Sequence, residues 1–327
     1  MASPRNFVGL DVGGTTMKAA VVNDDGTPLS KPVVLDTKPE RGQEAGLETM
    51  CESIRQAVAA AKLSMNEIAA IGVATPGLMD IPAGLILDPP NLKPWRNVPV
   101  RDHIKDVFKK PTAFQNDANA ATYGEYWVGA GRGMKSLIMF TLGTGVGGGI
   151  IVDDRIIEGH SSHGGELGHL RIDLPDHGRL CGCGRRGCLE AYASATSIVQ
   201  RGREALASDR EPSKLREKLH DEDGQALTAK EIFQVAAAGD ELAMKIVDDT
   251  AYFLALGCTA CLAVVDPQMI VIGGGVATAG EILLIKVREY VSRFGLTYPA
   301  SRVQITAAKL GSDAGFIGAA GCARQIA

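Results

Sequence analysis

The segment Asp11-Val-Gly-Gly-Thr-Thr-Met-Lys18 brings an acid, two glycines, two hydroxyls and an amine together within eight residues. Gly13 and Gly14 carry no Cβ, so their backbone N–H groups can approach phosphate oxygens closely. Thr15 and Thr16 can add hydroxyl donors, Lys18 a positive charge, and Asp11 can hold a hydrated Mg²⁺. A second turn, Gly143-Thr-Gly-Val-Gly-Gly-Gly149, offers Thr144 and Gly145 for another such cradle. Two facing turns of this kind would clamp the β- and γ-phosphates of a nucleotide, which makes Mg²⁺-ATP the expected cofactor. The plain alternative for each is an ordinary hairpin turn.

A second constellation lies at His169, Cys181-x-Cys183 and Cys188. One imidazole and three thiolates make the closed Cys₃His set of a structural zinc site. The chain has seven cysteines, an odd number, and its N-terminus develops no secretory signal before charge returns at Asp11. Metal binding is therefore expected in preference to a disulfide framework. His160, His163 and His177 are nearby alternatives as ligands.

These groups need elements to hold them. An apolar run at 7–11 leads into the first glycine turn, and a second run at 19–22 leads out to the turn signal Asn23-Asp24-Asp25-Gly26. Shifted by 130 positions the pattern recurs: Asp11 aligns with Thr141, Gly13 with Gly143, Val22 with Val152 and Asp24 with Asp154. Each half then continues with helical and strand periodicities to give β-β-β-α-β-α-β-α, a mixed sheet flanked by helices. Insertions fall near 160–190 and 206–230, the latter charged and expected to be a solvated surface segment. A binding site is expected in the cleft between two such halves. Asn116-Asp117 ends a strand and begins a helix, where an Asp is ordinarily a cap. Gly143-x-Gly-x-x-Gly148 matches the dinucleotide fingerprint but is followed by strand instead of helix, so it fails the structural condition of that motif.

Composition narrows the class. Of 327 residues 39 are glycine, and 17 of these lie in 11–18, 143–149, 164–187 and 273–275. The surplus is therefore local, and the remaining chain has the ordinary content of about 7–8%. A formal net charge of −4 argues against a nucleic-acid partner, which needs clustered Lys and Arg. The apolar run Phe253–Val265 is shorter than the about 18–20 residues of a membrane span and is expected to be a buried core helix. The expected protein is cytoplasmic, without a membrane partner.

Glu166-x-Gly-His169 with Cys181-x-Cys183-Gly-x-x-Gly-Cys188-x-Glu190 resembles the ROK family of bacterial sugar kinases and sugar-responsive repressors, from residue 11 through the last helix. The resemblance implies an α/β, two-lobed actin-like or ribonuclease H-like fold with a zinc-binding insertion. It implies an N-terminal lobe of 1–118 plus about 311–327, and a C-terminal lobe of 119–310. It also implies that ATP phosphorylates the 6-hydroxyl of a hexose, glucose foremost, with Asp117 as general base. By the same resemblance Gly77, Asn91, Asn116, Asp117, Glu166, His169 and Glu190 bind the sugar. His169 would reach sugar with one ring nitrogen and zinc with the other. Gly274 and Gly275 would lie beside adenosine, and a homodimer or homotetramer is expected. The run at 87–95 resembles that of members acting on glucose, whereas fructose, mannose, allose and N-acetylhexosamines are alternatives. A regulator of the same family would carry a DNA-binding segment ahead of the first turn, where this chain has ten residues.

Overall fold

The computed structural model describes residues 5–208, 212–218, 227–276 and 280–327. Alternation governs its first sheet. On β1 (Asn6–Val12) and β2 (Thr16–Asn23), Val8, Leu10, Val12, Met17, Ala19 and Val21 belong to one core, while Phe7, Ala20 and Val22 belong to another. Both faces of the pair are therefore covered, which explains its nearly continuous apolar composition. The first core is completed by α1 (Gln43–Ala60) through Leu47, Met50, Ile54 and Ala57. The second is completed by α10 (Ala314–Gln325) through Phe316, Ile317, Ala320 and Ala323.

The sheet grows on both sides of that hairpin. β3 (Val33–Asp36) pairs antiparallel with β2, while β4 (Ile68–Thr75) runs parallel to β1 and β7 (Thr112–Asn116) parallel to β4. The order is β3-β2-β1-β4-β7. Between β4 and β7 stand a small hairpin, β5 (Leu78–Asp80) with β6 (Leu85–Asp88), and helix α2 (Val100–Phe108). Close approach of α10 to this sheet depends on two glycines opposed in register, Gly9 and Gly72. A Cβ on either would stand 1.8 Å from a carbonyl oxygen of α10, that of Phe316 or Ala319.

A second sheet repeats the order: β10 (Arg155–Ile156), β9 (Val146–Val152), β8 (Leu137–Leu142), β11 (Met269–Gly273) and β12 (Gln304–Ala307). Here too the last three strands are parallel. The strand and helix order expected from the sequence is present in both halves. The second half adds α4 (Glu190–Ala193), α5 (Ala195–Ser208) and α6 (Ala229–Ala237) before α7 (Glu241–Val265), then α8 (Glu281–Phe294) and α9 (Thr297–Arg302). Of the expected surface insertion at 206–230, residues 209–211 and 219–226 lie outside the described residues.

The run Phe253–Val265 is the second half of the 25-residue α7. Among the described residues α7 is long and apolar enough to cross a membrane, yet more than half of that stretch is buried in the fold. Asp240 caps it by accepting from the Ala243 N–H at 3.0 Å.

Contacts divide the chain into one unit of residues 1–134, 149–165 and 309–327 and another of 135–148 and 166–308. The last helix groups with the first unit. The boundary itself differs from residue 118, because α3 (Asp117–Trp127) packs against α10. The fit is tight enough that a Cβ on Gly318 would lie 1.6 Å from the Ala120 carbonyl oxygen.

Candidate active-site residues

The first glycine turn closes an antiparallel pair in which Asp11 stands opposite Lys18. The Gly13 N–H donates to the Thr16 carbonyl at 2.8 Å. Thr37, just past β3, holds the turn from outside: its N–H donates to Thr15 O at 2.8 Å and its hydroxyl to Gly13 O at 2.7 Å. Sequence reasoning missed Thr37, whose signal is only a polar residue ending a strand, although it is 2% exposed. Thr15 and Thr16 themselves are exposed.

Asp11 is largely withdrawn from water. Burial, followed by the nearby charge of Asp117, pushes its carboxyl up to about 7 against the opposing effect of Lys18. The Lys18 ammonium donates to Ser312 O at 3.0 Å, to Ser312 Oγ at 3.1 Å and to Asp313 Oδ1 at 2.5 Å.

Two further candidates meet this turn. A Cβ on Gly14 would stand 3.0 Å from the Asn91 carbonyl oxygen and 3.4 Å from its Cβ, so the Asn91 backbone lies directly on the turn. Gly77 has a φ of +93° and leaves 2.7 Å between a notional Cβ and Pro89 Cα, which together require glycine there. Fully buried Leu92 and nearly buried Trp95 anchor the loop, and the Trp95 indole N–H donates to Pro39 O at 3.2 Å.

The junction of β7 and α3 resolves the ambiguity over capping. Asn116 is the N-cap, its side-chain oxygen accepting from the N–H groups of Ala118 at 2.9 Å and Asn119 at 3.1 Å. Asp117 is the first helical residue, and its Oδ1 accepts from Ala118 N–H at 2.8 Å. Buried Gln115, also missed from sequence, fixes the junction. Its Oε1 accepts from Asn116 N–H at 2.8 Å, and its Nε2 donates to Glu158 Oε1 at 2.7 Å. Thr75, opposite Asn116 in the ladder, buries a hydroxyl with no hydrogen-bond partner among the described residues.

In the second unit the other glycine turn is tied to the start of α5. Gly143 O accepts from the Ala195 N–H at 2.8 Å, and Thr144 O accepts from the Thr196 hydroxyl at 2.9 Å. Glu190, at the start of α4, joins this turn to the cysteine cluster. Its Oε2 accepts from Val146 N–H at 3.0 Å, and its Oε1 accepts from the Cys181 thiol at 3.2 Å.

His169, Cys181, Cys183 and Cys188 bring four ligand atoms within 4.8 Å of one another. Cys183 Sγ and Cys188 Sγ are 3.8 Å apart, and Cys181 Sγ is 3.9 Å from His169 Nδ1. The other ring nitrogen, Nε2, lies 3.9 Å from Glu166 Oε2. The cluster does not include His160, His163 or His177. Gly274, with φ +83°, presses on the end of β8, where a Cβ would stand 2.4 Å from Leu142 O. A Cβ on the adjacent Gly275 would meet no atom of the described residues beyond its chain neighbours within 4 Å.

Duplicated mixed sheets with a glycine turn after the leading strand of each, and a carboxylate where a strand passes into a helix, make a frame suited to phosphoryl transfer. Residues 7–326 match the model of the ROK family, and the chain belongs to that family. A protein of Halalkalibacterium halodurans named glucokinase is 36% identical over 99% of this chain and 96% of its own length. One of Thermotoga maritima with the same name is 36% identical over 98% of this chain and 97% of its own length. The crystal structure of a ROK family glucokinase from Streptomyces griseus in complex with glucose and AMPPNP is 33% identical. It covers 99% of this chain and 100% of its own, with a TM-score of 0.77.

Proposed function

We propose that this chain transfers the γ-phosphoryl group of ATP to the 6-hydroxyl of glucose. The observation that carries the reading is the β7–α3 junction. Asn116 takes the capping role, which leaves Asp117 only the smaller helix-favouring effect of a first-turn acid whose Oδ1 accepts from the Ala118 N–H, while its charge bears on Asp11. Asp117 would orient the 6-hydroxyl and accept its proton as the oxygen–phosphorus bond forms and the bond to the departing ADP breaks. The names of two relatives and the glucose and AMPPNP bound to a third support the substrate pair.

Each unit has its assigned contributions. In the first, Gly13, Gly14, Thr15 and Thr16 would cradle phosphate oxygens, and Gly77, Asn91 and Asn116 would address sugar hydroxyls. In the second, Thr144 and Gly145 would meet phosphate, Gly274 and Gly275 adenosine, and Glu166, His169 and Glu190 the sugar. Asp11 suits a divalent cation: burial and the charge of Asp117 push its carboxyl to about 7 despite Lys18, an environment that favours Mg²⁺ or its waters. Bound Mg²⁺ would neutralise charge on the transferring phosphoryl oxygens.

The four-residue cluster suits zinc. Bonds of about 2.3 Å to sulfur give a tetrahedral edge of about 3.8 Å, and the observed sulfur separation is 3.8 Å. His169 would ligate through Nδ1, which leaves Nε2 and Glu166 to address one substrate. Zinc there would be structural, fixing the ring that meets the sugar.

A coupled ATP assay over glucose, mannose, fructose, allose and N-acetylhexosamines tests the reading, with the highest kcat/KM expected for glucose. Asp117→Ala is expected to lower kcat by about 10²–10⁴-fold while calorimetry still detects sugar binding. Near-normal turnover by that variant would remove Asp117 from the base role.

A further inference from the structure

Lys18 stands in the first glycine turn, where a cation invites the role of phosphate ligand. An ammonium has three N–H donors. All three are accounted for inside the first unit, by Ser312 O, Ser312 Oγ and Asp313 Oδ1. The Lys18 side chain is 20% exposed and also lies 5.5 Å from the centroid of the Phe316 ring. A phosphate contact would have to displace a hydrogen-bonded ion pair and a second acceptor residue at once.

Register explains what this arrangement accomplishes. Asp11 and Lys18 are directly opposed in the antiparallel ladder, so both side chains leave the same face of the sheet. That face carries Phe7, Ala20 and Val22 and is covered by α10. The two side chains meet successive parts of one short segment. Lys18 holds Ser312 and Asp313, and Asp11 fills the space over Gly315, where a Cβ would stand 2.1 Å from Asp11 Oδ2 and 2.5 Å from its Cγ. Moving the start of α10 by a fraction of that separation would move the carboxylate.

We propose that Lys18 is a positioning residue: with Asp313 it clamps the start of α10 onto β1 and β2 and thereby sets the Asp11 carboxylate, and it does not contact phosphate. The proposal rests on the nucleotide reading above, because the consequence of placing Asp11 is read through Mg²⁺-ATP. It makes Asp313, for which no ligand contact is assigned, as consequential as Lys18.

The test compares K18M, D313N and the double variant with the wild-type chain. Circular dichroism and thermal unfolding check the fold. The readouts are kcat, KM for ATP and half-saturating Mg²⁺, together with calorimetric affinity for Mg²⁺-AMPPNP, which needs no turnover. Each single variant is expected to raise half-saturating Mg²⁺ and lower kcat by about tenfold, and the double variant to be no worse than either, as for one shared interaction. A raised KM for ATP in K18M alone, with D313N like the wild type and the two effects additive, would make Lys18 a phosphate ligand and overturn the clamp. Should K18M not fold, D313N decides alone, since unchanged Mg²⁺ dependence overturns the proposal. A wild-type chain that phosphorylates no hexose would instead overturn the functional reading, and the AMPPNP arm would still test the clamp.

Discussion

Asp11 is a carboxylate held where ionisation is unfavourable. Its pKa is about 7 in the folded chain against 3.8 for the free side chain, with burial the main cause and the Asp117 charge the next. The sign of the linkage follows: between those values the folded state retains a proton that the unfolded chain has released. Stability of the metal-free protein therefore falls as pH rises from about 4 to about 7 and levels off above. Asp11→Asn removes the ionisation, so the ligand-free variant is expected to be more stable than the wild type at pH 8, by at most roughly 4 kcal/mol. The gain should shrink toward pH 4. Thermal unfolding across that range, with chelator present, checks both the sign and the window. Equal melting temperatures at pH 8 would mean that Asp11 is not held in this way. At this scale the sequence was partly legible. The type and spacing of Asp11, Gly13 and Gly14 announced a tight glycine turn, and that turn is present. The partners of Lys18 did not show, because Ser312 and Asp313 are 294 and 295 residues away and nothing local links them. Asn116 and Asp117 are both good caps by residue type, and only the hydrogen bonds separate them.

The decisive element is α10. It covers the face of the first sheet that carries Asp11 and Lys18, and its contact with α3 draws that helix into the same unit. Neither packing was readable from helical periodicity, which marks an apolar stripe without naming its partner. Its small residues were the available signal: Gly315, Gly318, Ala319 and Ala320 occur within six positions, where backbones can come close. Gly9 and Gly72 are the complementary sites on the strands. Gly9→Ala would place a methyl 1.8 Å from the Phe316 carbonyl oxygen, which only displacement of the helix relieves. The expected destabilisation is about 3 kcal/mol, the upper part of the usual range for overpacking. Because Gly315 rides on the same helix, half-saturating Mg²⁺ should rise as well. A Gly9→Ala protein with unchanged melting temperature and metal dependence would show that α10 can shift without disturbing Asp11.

For the whole chain, the 130-residue repeat was the most legible feature, because two glycine turns after apolar runs fix both the period and the strand order. The cysteine-rich loop interrupts that repeat and depends on different physics. Between the second sheet's leading strands and α4 it has a three-residue helical turn at Leu167–His169 and isolated bridges, Arg171 to Cys188 and Leu180 to Arg186. Such a segment buries little apolar surface of its own, so a metal held by His169, Cys181, Cys183 and Cys188 would supply much of its order. Two dependents follow. His169 is assigned to sugar, and Glu190, two residues beyond the assigned ligand Cys188, holds the second glycine turn by accepting from the Val146 N–H. Removing the metal should therefore weaken glucose and nucleotide binding together, besides lowering the melting temperature by about 4 °C for a loss of roughly 3 kcal/mol. Elemental analysis is expected to find one zinc per chain. Calorimetry of glucose and of Mg²⁺-AMPPNP, before and after zinc is stripped, measures the two dependents separately. If only glucose affinity falls, Glu190 holds its turn without help from the cluster. A metal-free protein with full activity and an unchanged melting temperature would exclude a structural zinc.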